Sequence, residues 1–201
     1  MAVIGLTGGI ATGKSTVCKM LSDMGAKVFD ADKEAHLLLS GDTEAAREIK
    51  KKFHEELGFD MLDASGNIDR KKLGAIVFSD PQLLKYLESV MHHHIEKKLH
   101  IFVEEEKAKN SNIIVLDIPL LFEKNWQDKA DEVWLVHVPQ DMQMKRLKKR
   151  DNIDDAEARK RLAVQMPIDD KKALADTVID NSDTMEKTHE IVKRALEHIL
   201  K

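Results

Sequence analysis

GLTGGIATGKSTV, residues 5–17, holds four of the nine glycines in a 201-residue chain. Glycine at that density costs backbone entropy, so the cluster needs a reason. Gly8, four residues, then Gly13, Lys14 and Ser15 fit the pattern G-x-x-x-x-G-K-[ST]. Before it, AVIGLT (2–7) is an apolar run of strand length. After it, Lys14 to Met24 places Val17, Met20, Leu21 and Met24 at helical spacing, and Gly25 ends the helix. Strand, Gly-rich loop and helix form the context in which this pattern seats a phosphate chain. The loop's N–H groups converge on phosphate oxygens, and the helix N-terminus adds a favourable dipole. Gly9, Ile10, Ala11, Thr12, Gly13, Lys14, Ser15 and Thr16 then surround the phosphates. Lys14 reaches the β- and γ-phosphates, Ser15 ligates Mg²⁺ and Thr16 touches the α-phosphate. Cys18 reads as a small buried residue of the helix.

Outward from the loop, short apolar runs alternate with helical patterns. KVFD (27–30), NIIVLD (112–117), DEVWLVHV (131–138) and TVID (177–180) read as further strands. Helices are expected from Lys33 to about Gly41, over 43–57, from Pro81 to about Lys107 and from Thr184 to Leu200, with a turn at DASGN (63–67). The alternation implies an α/β chain: a doubly wound, mostly parallel five-stranded sheet. We divide it into a core (1–40, 108–138 and 173–201), a helical substrate-binding insertion (41–107) and a lid (139–172).

Bulk composition narrows the classes. A net charge of −4 gives no general attraction to nucleic acid or anionic membranes. Aromatics at 4% leave little for stacking bases. One cysteine allows no internal disulfide. The N-terminus lacks the basic flank of a secretory leader and no run reaches membrane-spanning length, so a cytoplasmic location is expected. The expected partners are small molecules rather than nucleic acid or membrane, and a monomer is favoured.

A phosphate loop alone does not separate motors, switches and kinases. No Asn-Lys-x-Asp guanine signature and no Ser-Gly-Gly-Gln transporter signature occurs, and the chain is short for a motor. A compact kinase acting on a small acceptor remains. Such an enzyme needs a group near the acceptor hydroxyl, a metal ligand and a lid. In a doubly wound sheet ligands gather at the carboxyl ends of the strands. FDADKEAH (29–36) puts Asp30 and Asp32 there. Asp32 is a candidate base or orienter, or an N-cap of the next helix. Asp117, ending NIIVLD, is a candidate water-mediated Mg²⁺ ligand or a plain strand-end carboxylate. Lys145–Arg161 carries eight Lys/Arg against four acids. It reads as a lid over polyphosphate, with Arg146 and Arg150 on one helix face, or as an ordinary charged helix. His92, His93 and His94 point about 100° apart on a helix, so they do not converge on one metal.

IGLTGGIATGKSTV, FDADKEAH, IDRKKLGAIVFSD, LDIPLLFE, RLKKRD and QMPIDDKKALADTVIDN, in this order, resemble the dephospho-CoA kinases from Val3 to about Asn181. The resemblance implies a P-loop kinase fold with helical substrate domain and lid. It implies ATP-dependent phosphorylation of the ribose 3′-hydroxyl of dephospho-CoA, the last step of coenzyme A synthesis. It makes Asp32 the base, assigns Arg70, His92, Leu120 and Glu123 to the acceptor side, brings Arg146 to the ATP phosphates and Asn181 to the adenine. Two departures stand out: His93 replaces a common proline after His92, and Ala11-Thr12 replaces the commoner Gly-Ser. Without the resemblance, the residues lead as far as a P-loop kinase of a small acceptor; another nucleoside or nucleotide kinase and a non-catalytic ATP-binding module are the alternatives.

Overall fold

The computed structural model describes all 201 residues, which pack as two compact units. One comprises Met1–Asp30 and Val103–Lys201, the other Ala31–Phe102. By packing, the helical unit begins directly after Asp30, and residues 139–172 fall in the same unit as the sheet.

The sheet unit holds β1 (Ala2–Gly8), β2 (Lys27–Asp30), β3 (Ile113–Asp117), β4 (Glu132–His137) and β5 (Thr177–Asp180). Their order is β2-β3-β1-β4-β5 and every pairing is parallel. All residues of β1 and β3 are buried, as strands covered on both faces must be. One face is sealed by α1 (Lys14–Asp23) and α9 (Met185–Ile199), whose Val17, Met20, Leu21, Val192 and Leu196 pack with Ile4, Leu6, Val115, Trp134 and Val136. Thr184 caps α9 by accepting from the Lys187 N–H. Register places the functional ends level: Leu6 lies beside Asp117, and Asp117 beside Asp30.

The expected lid is three helices: α6 (Gln140–Asp151), α7 (Asp155–Ala163) and α8 (Ile168–Leu174). Asn152 ends α6 in the left-handed conformation, and Asp154 caps α7.

The helical unit starts with α2 (Ala31–Leu39) and α3 (Glu44–Ile49). Residues 43–57 were expected as one helix; the chain instead widens into a π-helix over Lys50–Glu56. No element was expected between the 63–67 turn and Pro81, yet α4 spans Arg70–Ser79. Gly74, Ile76 and Val77 weaken its helical pattern, but the Asp69 carboxylate caps it through the N–H groups of Lys71 and Lys72. The 28-residue α5 (Pro81–Ala108) begins on a proline, as expected, and its last turns belong to the sheet unit.

Candidate active site

The phosphate loop leaves the carboxyl end of β1 and enters α1. Its turn closes through the Thr12 N–H and hydroxyl, both donating to the Gly9 carbonyl at 3.2 and 2.9 Å. Gly13 (φ +90°) and Ala11 (φ 62°) both sit at positive φ. Ala11 is thus more than a small filler: it holds a conformation that costs any residue with a Cβ. Lys14, Ser15 and Thr16 form the first turn of α1, with Ser15 exposed.

Lys14 forms an ion pair with Asp117, the last residue of β3. Burial pushes the Asp117 carboxyl above the usual carboxylate range, against the opposing pull of Lys14; the nearby Asp30 charge adds to the rise. Cys18 is only half-buried, and burial first, then the charge of Asp117, pushes its thiol up to about 11.

Asn181 is held against the phosphate loop. Its amide donates to the Thr12 carbonyl (2.8 Å) and its oxygen accepts from the Thr188 hydroxyl (3.0 Å). A Cβ on Gly13 would lie 2.1 Å from that amide nitrogen. Gly13 is therefore needed for the close approach of a brace as well as for its φ. The Arg146 guanidinium donates to the Asn181 carbonyl at 3.0 Å, which anchors α6 beside the loop.

Among the other bases of the lid segment, Lys145 pairs with Asp141, Lys148 with Asp155, Arg150 with Asp151, and Arg161 with both Asp151 and Glu157. Arg150 therefore belongs to the charged-face reading, while Arg146 turns inward.

Glu123, in the turns after β3, accepts from the Met166 N–H (3.0 Å) and from Lys171 Nζ (2.8 Å). Lys171 is fully buried on α8, and its other oxygen contact is the Pro119 carbonyl. The second Glu123 oxygen is buried without a partner. Leu120 is half-buried in the same turns, while Leu121 is wholly buried under Gly5.

In the helical unit, Asp32 is exposed in the first turn of α2, two residues beyond Asp30. The N-cap alternative fails, because the helix already includes Ala31. Arg70 is the exposed first residue of α4 and His92 is half-buried on α5. His94 is buried and its Nε2 lies 3.3 Å from Glu48, while His93 is exposed with its ring edge-on to that of His94, 5.3 Å between centroids. The sequence reading missed Gln143, Gln165 and Lys171. The last two lie inside the quoted QMPIDDKK segment, but nothing in their spacing marks them as buried partners.

The dephospho-CoA kinase family model matches residues 2–187. The chain belongs to the dephospho-CoA kinase family. A family relative from Carboxydothermus hydrogenoformans, named dephospho-CoA kinase, is 41% identical over 197 residues, covering 98% of this chain and 94% of the relative. Among solved structures, a Thermus thermophilus protein superposes with a TM-score of 0.82 at 32% identity, covering 100% of this chain and 98% of its own. A family structure, the dephospho-CoA kinase from Campylobacter jejuni, gives a TM-score of 0.75 at 30% identity, with 98% and 96% covered. No helix here is long and apolar enough to cross a membrane.

Proposed function

We propose that this chain transfers the γ-phosphoryl group of ATP to the ribose 3′-hydroxyl of dephospho-CoA, giving CoA and ADP, in the cytoplasm. The carrying observation is the Lys14–Asp117 pair at the mouth of a braced phosphate loop, in a chain of this family. The loop from Gly9 to Thr16 holds the triphosphate, apart from the Ile10, Thr12 and Thr16 N–H groups, which bond within the fold, and Lys14 neutralises charge at the transferred group. Arg146, anchored beside the loop, adds a second cation. Asp32 orients the acceptor hydroxyl and takes its proton as the 3′-oxygen bonds to phosphorus and the bond to the β–γ oxygen breaks. Arg70, His92 and Leu120 hold the acceptor. Glu123 contributes through the turn it fixes.

The residues also fit Mg²⁺. The Ser15 hydroxyl and the Asp117 carboxylate are the hard oxygen donors that ion takes beside phosphate oxygens. When bound it supplies charge neutralisation on the β- and γ-phosphates.

Incubation with ATP, Mg²⁺ and a panel of acceptors tests the reading. Dephospho-CoA should be consumed in step with ADP release, while nucleosides and nucleotides remain unchanged. Turnover of a nucleoside with dephospho-CoA untouched would refute it.

A further inference from the structure

The tip of the phosphate loop is gripped from behind. Gln143, buried on α6, donates its amide N–H to the Ile10 carbonyl at 2.8 Å. Gln165, in the turn between α7 and α8, accepts from the Ile10 N–H at 2.9 Å. One peptide-bearing residue is thus clasped by two side chains more than 130 positions away along the chain. Gly9 leaves the room that the Gln143 amide occupies. A Cβ there would lie 2.3 Å from Gln143 Nε2, so a side chain at residue 9 and the Gln143 contact exclude each other.

We propose that Gln143 and Gln165 are positioning residues for polyphosphate binding. They fix the orientation of the peptide groups on either side of Ile10 and so preset the cradle. A loop left free would have to lose that freedom when the phosphates arrive, and the loss would weaken binding. The two glutamines also flank residues 144–164, which carry Arg146 and most of the basic residues of the lid segment. The clasp therefore joins the two ends of that segment to the loop beside which Arg146 is anchored. This rests on the nucleotide reading above.

The test measures Kd for ATP, inorganic tripolyphosphate and adenosine in the full chain, with melting temperature followed in parallel. Gln143→Ala and Gln165→Ala should each weaken ATP and tripolyphosphate roughly tenfold, the scale of one buried hydrogen bond, and leave adenosine binding unchanged. Gln143→Met and Gln165→Met, which keep side-chain length, carry the test if an alanine variant unfolds. A double-mutant cycle makes the case specific. Gly9→Ala should weaken tripolyphosphate binding in the parent, yet add nothing to Gln143→Ala, because the obstructing amide has gone. Folded variants with parental Kd for tripolyphosphate would overturn the proposal. So would additive effects of Gly9→Ala and Gln143→Ala, which would make Gly9 a contact of the phosphate itself. If the parent chain failed to bind ATP and tripolyphosphate, the nucleotide reading would fall and the clasp with it. Parental binding with unaffected variants would overturn the clasp alone.

Discussion

At the scale of single residues, Ala11 is the one member of the phosphate loop that works against its backbone. Its φ of 62° costs about 1–2 kcal/mol for a residue with a Cβ. Ala11→Gly removes that strain, but loosens the unfolded chain by about 0.4–1 kcal/mol. The strain term wins, so thermal denaturation should show a melting temperature raised by roughly 2 °C. A lowered one would mean that Ala11 is unstrained. Cys18 gives a pH-dependent prediction. Its thiol, raised from 9.0 to about 11, stays protonated where a free cysteine is partly thiolate. The sign is that of a raised pKa: the associated stability is complete below pH 9 and disappears as pH rises through about 11. Alkylation by iodoacetamide at pH 8.5 should be slow in the native chain and fast after urea unfolding. Equal rates would contradict the assigned environment. Asp32 should separate chemistry from binding. Asp32→Ala should leave ATP affinity within about twofold and lower kcat by 10²-fold or more, the lower range for a positioned acid–base group. Unchanged turnover in a steady-state assay would remove Asp32 from the mechanism.

At the scale of elements, α8 is tied to the turns after β3 by the Lys171–Glu123 pair. A fully buried ammonium is tolerated only with its partner in place. Lys171→Met leaves the Glu123 carboxylate with the Met166 N–H alone, and the destabilisation should be about 3–5 kcal/mol. The double variant Lys171→Met with Glu123→Leu should recover most of that loss. Urea denaturation of the two variants and the parent measures the cycle; a double variant no more stable than the single would show that packing, not charge, sets the cost. Elements also mark the limits of sequence reading. NIIVLD and AVIGLT were legible because a strand buried on both faces must be apolar throughout. α4 was not, since its start rests on one aspartate and its interior carries a glycine and two β-branched residues. The π-helical widening over Lys50–Glu56 has no counterpart in local residue pattern. The loop's seat was readable from its glycines, but its support was not. Asn181, Gln143 and Gln165 reach Thr12 and Ile10 across the fold, and no spacing in one dimension encodes such a contact.

At the scale of the molecule, an all-parallel sheet directs every strand's carboxyl end the same way, so Gly8, Asp30, Asp117 and Asp180 lie at one edge of the sheet unit. The order β2-β3-β1-β4-β5 centres β1 and gives its loop a neighbouring strand on each side. That order was beyond the sequence, because apolar runs say which segments pair but not in what sequence. Asp30 ends the first segment of the sheet unit, and Asp32 lies in the helical unit, which begins at Ala31. The position of the transferred phosphate tests the whole account most directly. After reaction with ATP, Mg²⁺ and dephospho-CoA, ³¹P and ¹H NMR of the product should show one new phosphomonoester coupled to the ribose H3′, with one ADP formed for each. ADP formed without a phosphorylated acceptor, or a phosphate on any other hydroxyl, would contradict it.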